Sequence, residues 1–363
     1  MTQLSVKTVA ELTRAISVPD ETWRTRAYSH LDTLTKPRGS LGRLEDLAAQ
    51  LVSIRQNHLA CPLSKAVYVF AADHGITAEG VSAYPSAVTQ QMVLNFLAGG
   101  AAVNVLSRLH HVALHVVDVG VDADFEGTAG LLHHKVCKGT RNMLHEAAMT
   151  DDQLSQTLLV GAQLAGEAAA AGYTLLAIGE MGIGNTTAAS AITCALTGSS
   201  PSEATGRGTG LDMEAHARKV AIVEAIIEKH FPSDVTDKRA LVPLDILRCV
   251  GGLEIAAMTG MVLAAARHRL AVVVDGFIAT SAAALAAALE PSVQGYLIAG
   301  HVSEEPGHRL LLDYLKLIPL LTLEMRLGEG SGAVLAMPII ESAIGLYSQM
   351  ATFASAGVSE GFE

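Results

Sequence analysis

From Lys65 onward the chain repeats one pattern: a short apolar run, a polar residue beside glycine, then a long stretch with helical spacing. The runs are AVYVFAADHG from Ala66, VALHVVDVG from Val112, YTLLAIGEMG from Tyr173, LAVVVDGF from Leu270, GYLIAGH from Gly295 and the less regular LLTLEMRLGEG from Leu320. Between them lie helical stretches such as SAVTQQMVLNFLAGGAAVNVLSRL from Ser86, DQLSQTLLVGAQLAGEAAAA from Asp152, LDMEAHARKVAIVEAIIEKH from Leu211 and GLEIAAMTGMVLAAARH from Gly252. Strands alternating with helices build βαβ units, and nearly continuous apolar strands belong in a parallel sheet covered on both faces. Only 4% of the residues are aromatic although 50% are hydrophobic, so Ala, Leu, Val and Ile fill the core, which suits helices packed closely on a sheet. The expected fold is α/β, with a doubly wound parallel sheet.

A chain of 363 residues has room for one large domain and a smaller one. Before Cys61 no strand is evident. The segment LGRLEDLAAQLVSIRQN instead spaces Leu41, Leu44, Leu47, Leu51 and Ile54 three or four apart, the period of an amphipathic helix. After Gly332 the sequence is helical again through AVLAMPIIESAIGLYSQM, then decays into SAGVSEGFE, a soft tail. Residues 1–60 and 335–363 are expected to pack as a small helical domain beside an α/β substrate-binding domain of residues 61–334.

The net charge of -11 and the pI near 5.7 argue against a general nucleic-acid or membrane-surface binder, since nothing neutralises phosphates wholesale. An anionic ligand must be met locally. Cys61, Cys137, Cys194 and Cys249 lie far apart with no CxxC, which suggests reduced thiols in a cytoplasmic protein, with neither a zinc site nor a disulfide frame. The opening MTQLSVKTVAELTR has no apolar signal core. The longest apolar run, GFIATSAAALAAAL from Gly276, is shorter than the ~20 residues of a membrane span and reads as a buried helix. In LHHVALH, His111 and His115 share one face of a strand, and His133 and His134 follow later, but no carboxylate or cysteine ligand clusters with either group. No metal site is expected from them. Asp122, Asp124 and Glu126 in DVGVDADFEG lack the later glutamate and the glycine position of an EF-hand.

Each apolar run ends in a polar residue beside glycine: Asp73 and His74, Asp118, Glu180, Asp275, His301 and Glu329. In open parallel sheets ligands sit outside the carboxyl ends of the strands, so these side chains should gather along one edge. GEMGIGNTTAAS, from Gly179, exposes bare backbone at a helix start, where unpaired N–H donors and a partial positive charge suit a phosphate. It lacks GK[ST] and GxGxxG, so it is neither a nucleoside-triphosphate nor a dinucleotide loop. An ordinary tight turn capped by Asn185 or Thr186 fits the same residues. GRGTGLD, from Gly206, is a second such loop, where Arg207 and the following Lys219 can each neutralise a phosphate. Taken singly, each also reads as a solvated cation. Glu180 and Glu329 share a glycine context at strand ends, and a partly buried glutamate with few charged neighbours can act as a base near neutrality.

Taken in order, LTKPRGSLGRLEDLA, ADHGITAEGVSAYPSAVTQQMV, NFLAGGAAVNVL, GEMGIGNTTAASAI, GRGTGLD, GGLEIAAMTG, DGFIATSAAALAA and RLGEGSGAVLA resemble the nicotinate-nucleotide:dimethylbenzimidazole phosphoribosyltransferases of cobalamin nucleotide-loop assembly. The resemblance covers nearly the whole chain. It implies a doubly wound sheet domain with a small helical domain from both chain ends, a homodimer, and no metal or organic cofactor. The implied reaction moves phosphoribose from nicotinate mononucleotide to a benzimidazole nitrogen, with inversion at the anomeric carbon. By the same resemblance Glu329, in LGEGSG, is the general base, and Ser82, Tyr84 and one of Gln90 or Gln91 line the benzimidazole pocket with Met181 and Leu327 as apolar walls. Gly182, Gly184, Asn185 and Thr186 then hold the phosphate with Lys219 and Arg207, and Glu180 lies beside the ribose, binding hydroxyls or favouring developing positive charge. Two other readings stay open: the same clamp with another benzimidazole, adenine or a phenolic ring as acceptor, and a protein that captures the riboside without turnover.

Overall fold

The computed structural model describes residues 8–208, 210–232 and 241–359. The first seven residues of the amino-terminal stretch, Thr209 of GRGTGLD and the end of the soft tail lie outside the described residues. The chain opens with α1 (Val9–Leu12), α2 (Glu21–Leu31) and α3 (Arg43–Arg55), then enters the sheet at β1 (Lys65–Ala72). After α4 (Ala87–Ala98) and α5 (Ala102–Leu109) come β2 (Ala113–Gly120) and β3 (Leu131–His133), followed by α6 (Asp151–Ala170) and β4 (Leu175–Met181). A helical run follows: α7 (Asn185–Thr197), α8 (Pro201–Ala204), α9 (Met213–His230), α10 (Pro243–Val250) and α11 (Leu253–Arg267). The sheet resumes with β5 (Ala271–Val274), α12 (Phe277–Leu289), β6 (Leu297–Ala299), β7 (His301–Val302), α13 (Pro306–Leu315) and β8 (Leu321–Thr322). The last helices are α14 (Ser331–Gln349) and α15 (Phe353–Ala356).

The main sheet is parallel in the order β3-β2-β1-β4-β5-β6. Strand order reverses between β1 and β4, so the crevice beyond their carboxyl ends is the topological switch point of a doubly wound sheet. β1 pairs with β4 from Lys65 opposite Leu175 to Ala71 opposite Met181, and every residue of β1 is buried. Helices α6 and α11 pack together, with α11 against β1, β2, β4 and β5; α4 and α14 contact β4 as well. The apolar α12, read from sequence as a buried helix, is buried from Phe277 through Ala286. Two stretches, Ala87–Leu109 and Ser331–Gln349, are long and apolar enough to cross a membrane by length and composition. The first is interrupted between α4 and α5, and the second runs against α3 and α5.

Three elements differ from the sequence reading. The helix expected from Ser86 to Leu109 is broken because Gly99 adopts φ +80 and caps α4, which lets α5 start afresh at Ala102. LLTLEMRLGEG forms a strand only at Leu321–Thr322, paired with β7, and its remainder is a loop leading to Glu329. β3 has only three residues and falls in LLHHK, too short for an apolar run to reveal. At the chain ends, α2 and α3 pack together and α14 lies on α3. Leu34 bridges to Thr352, and His30 Nε2 lies 2.9 Å from the Tyr347 carbonyl oxygen.

Candidate active site

Helices α2, α6 and α9 begin at Asp20, Thr150 and Asp212, whose side chains accept first-turn N–H groups. Helices α7 and α14 instead begin after a left-handed glycine, Gly184 at φ +97 and Gly330 at φ +82, with no cap from that residue. Both starts lie at the carboxyl edge of the sheet. That of α14 is filled from within the fold: Asp275, just beyond β5, accepts the Gly330 N–H at 3.1 Å and the Ala333 N–H at 2.9 Å. At α7, Thr186 accepts a hydrogen bond from the Lys219 ammonium at 2.8 Å. Lys219 is 1% exposed, so α9 delivers a cation to the first turn of α7 from beneath.

Both helix starts open on one cavity of about 400 Å³. Gly182, Asn185, Thr186 and Gly208 line its α7 end, while Leu327, Gly328 and Glu329 line its α14 end. Val88, Met92, Met181, Phe277 and Ile278 supply apolar wall, and Tyr84, 54% exposed, stands on its rim. A flat aromatic ring fits an apolar wall with a few polar groups converging on it.

The polar floor is rich in carboxyl groups. Glu180 is buried, and desolvation followed by the nearby charges of Glu254 and Asp275 pushes its carboxyl up to about 8, against a hydrogen bond from the Asn185 amide. Burial also raises the Glu329 carboxyl above the ordinary glutamate value, opposed by the Val103 N–H, which donates to Oε2 at 3.4 Å in the first turn of α5. Desolvation lowers the Lys219 ammonium to about 8, and Glu305 opposes that shift. Under the α7 loop, His74 Nε2 contacts Glu254 Oε1 at 2.7 Å, both side chains being fully buried. A cation or a developing positive charge in the cavity relieves carboxylate repulsion of this kind.

The structure brings most of the expected residues together. Glu180, Glu329, Gly182, Asn185, Thr186, Met181, Leu327 and Tyr84 line the cavity; Lys219 lies one contact behind it, and Gly184 shapes the turn beneath. Arg207 is exposed and lines an adjoining cavity, which shares Gly208, Glu305 and Arg326 with the first. Ser82, Gln90 and Gln91 are not among the lining residues; Gln91 is exposed, and the other two are partly so. Of the strand-end residues, His301 joins the cavity with Glu180 and Glu329, and Asp275 sits behind them. Asp118 turns to Lys135 at 3.2 Å, and Asp73 accepts the Asp122 N–H at 2.8 Å, both away from the cavity. Sequence reasoning missed Glu254, the one carboxylate in the apolar stretch from Gly252, and also Ser303, Glu305, Arg326 and Phe277.

Comparison with known proteins decides the family. Residues 16–358 match the family model DBI_PRT, a phosphoribosyltransferase. The chain belongs to this family. It is 49% identical over 338 residues to the nicotinate-nucleotide–dimethylbenzimidazole phosphoribosyltransferase of Geotalea uraniireducens (strain Rf4), covering 93% of this chain and 94% of that one. With the enzyme of the same name from Chlorobium chlorochromatii (strain CaD3) it shares 48% over 353 residues, covering 97% and 98% of the two chains. The crystal structure of CobT from Thermus thermophilus superposes with a TM-score of 0.88 at 45% identity, covering 94% of this chain and 100% of that one. This phosphoribosyltransferase thus has the doubly wound α/β fold expected from its sequence.

Proposed function

We propose that this chain transfers phosphoribose from nicotinate mononucleotide to 5,6-dimethylbenzimidazole, giving nicotinate and α-ribazole 5′-phosphate in cobalamin biosynthesis. The names of its relatives support the reaction. The observation that carries the residue roles is that the two helix starts on one cavity are unlike. Asp275 occupies the first turn of α14, whereas a buried ammonium backs the first turn of α7. A phosphate therefore goes to α7, held by Gly182, Asn185 and Thr186 over the Gly184 turn and charged by Lys219, with Arg207 at the outer edge. The aromatic acceptor then lies at the α14 end, against Met181, Leu327 and the Tyr84 rim, with the base carboxylate of Glu329 beside it.

Nicotinate bonded to ribose through its ring nitrogen is a cationic leaving group, so its departure needs little acid help. One benzimidazole nitrogen attacks the anomeric carbon as the bond to nicotinate breaks, and that electron pair returns to the pyridine ring. The N–H proton on the other benzimidazole nitrogen passes to Glu329, whose raised pKa brings its basicity nearer neutrality. Glu180 faces the sugar, where it hydrogen-bonds hydroxyls when protonated and offsets positive charge when ionised. The same reading includes a cytoplasmic homodimer and a helical unit of residues 1–60 and 335–363 beside an α/β unit of 61–334.

The test is incubation of purified protein with nicotinate mononucleotide and 5,6-dimethylbenzimidazole, following both products by chromatography and mass. Equal amounts of nicotinate and riboside phosphate are expected. Nicotinate release only with adenine or a phenol would overturn the acceptor, and ligand binding without any release would make the protein a binder.

A further inference from the structure

Gly328, Glu329 and Gly330 follow one another at φ +85, +64 and +82. A non-glycine residue costs roughly 1–2 kcal/mol in that region, and such strain persists only where the surroundings impose it. The turn is gripped from two sides. On the β4 side Gly179 lies so close that a Cβ there would overlap the Gly330 nitrogen and the Glu329 carbonyl carbon. On the β5 side the Asp275 carboxylate, 2% exposed, divides its oxygens between the Gly330 and Ala333 N–H groups, with the Gly332 N–H also contributing.

We propose that Asp275 is a positioning residue: its carboxylate holds the Gly328–Gly330 turn left-handed and so fixes where the Glu329 side chain meets the acceptor. The proposal rests on Glu329 serving as the general base. Charged and titratable groups around Asp275 are His301, whose Nε2 lies 3.7 Å from Oδ1, and the carboxylates Glu180 and Glu329. An asparagine at this position keeps the size but turns an N–H₂ toward backbone donors, so one donor loses its acceptor.

The experiment is a cycle of Asp275→Asn, Glu329→Gln and the double variant, with melting temperature and nicotinate mononucleotide affinity measured on each. Asp275→Asn is expected to lower kcat roughly 10- to 100-fold, as misplacement of a catalytic group by about an ångström does, with mononucleotide affinity held within about threefold. Burial is the main reason the Glu329 carboxyl is raised and persists in the variant, but the smaller contribution of the neighbouring Asp275 charge is gone, so the acid limb of its kcat profile should move modestly to lower pH. In the Glu329→Gln background the same change should cost almost nothing further, since residues acting as one unit are not additive. Gly179→Ala, which pushes the turn from β4 without altering charge, should lower kcat and leave the acid limb in place. Full additivity in the double variant, or an unchanged kcat in Asp275→Asn, overturns the proposal, as does failure of Asp275→Asn to fold, which would assign Asp275 to the fold. A fully active Glu329→Gln would instead overturn the base reading, and the positioning role with it, whatever Asp275→Asn does.

Discussion

Glu180 is a carboxyl that the fold holds against its own charge, and replacing it with glutamine should stabilise the unliganded protein. Its value rises from 4.5 in the ordinary state to about 8 in the fold, chiefly through desolvation and then through Glu254 and Asp275. A pKa raised on folding means that the native state binds the proton more tightly than the unfolded chain does. The stability linked to this group is therefore fully present below pH 4.5 and is lost as pH rises through about 8. At 1.36 kcal/mol per unit, the loss at pH 7 is about 3 kcal/mol, because the unfolded carboxyl has ionised there while the native one has not. Glutamine keeps an acceptor for the Asn185 amide and carries no proton to lose. Urea titrations of the parent and Glu180→Gln at pH 5, 6, 7 and 8, without substrate, should show a stability gap that widens with pH by about one kcal/mol per unit. A gap that stays constant across that range would refute the argument, whatever its size. The gain in stability should come with a loss of turnover, since the proposed function sets the same carboxyl beside the ribose.

Glu329→Gln should lower nicotinate release by about two to four powers of ten, the usual yield of a general base, while calorimetry shows mononucleotide binding retained; unchanged turnover would remove Glu329 from its role. Lys219→Ala should raise KM for the mononucleotide more than it lowers kcat, and a change confined to acceptor affinity would contradict the phosphate assignment. Since Glu329 must be ionised to accept a proton and burial raises its pKa, kcat should fall with decreasing pH at a midpoint above the ordinary glutamate value of 4.5; a midpoint below it would show that the base is better solvated than its burial implies. Thr150→Ala removes the cap that accepts the Gln153 N–H at 3.1 Å and should cost about 1 kcal/mol in urea unfolding without changing KM, because α6 lies away from the cavity.

Much of this was legible in the chain because glycine and strand ends are local signals. The runs from Ala66, Val112, Tyr173, Leu270 and Gly295 mark β1, β2, β4, β5 and β6, and the polar residues that end β4 and follow β5 and β6 meet around one cavity. What stayed hidden depends on the third dimension. Nothing local tells that Asp275 reaches into the first turn of α14, since its partners Gly330 and Ala333 lie more than fifty residues away. His74 and Glu254 meet across 180 residues of sequence, and a lone glutamate in an alanine-rich helix reads as a surface position until its partner is seen. Gln90 and Gln91 show the opposite limit: a resemblance names a segment, but which side chains of α4 turn inward depends on how the helix lies, and the inward positions are Val88 and Met92.

Helix α14 starts one residue after Gly330, two beyond Glu329, and runs for 19 residues, about 28 Å at the α-helical rise. Midway along it Glu341 takes the Lys65 ammonium at 2.5 Å and the Leu63 N–H at 2.9 Å, and near its far end Tyr347 meets His58 at 2.5 Å. The helix works as an axle with one bearing at the Glu329 turn, the proposed reacting centre, and the other among the terminal helices. A fusion partner or trimming that disturbs the last fifteen or so residues loads the outer bearing, and the play appears first at the carboxylate on the inner one. Makers of tagged versions should therefore expect turnover to register a carboxyl-terminal graft before melting temperature does.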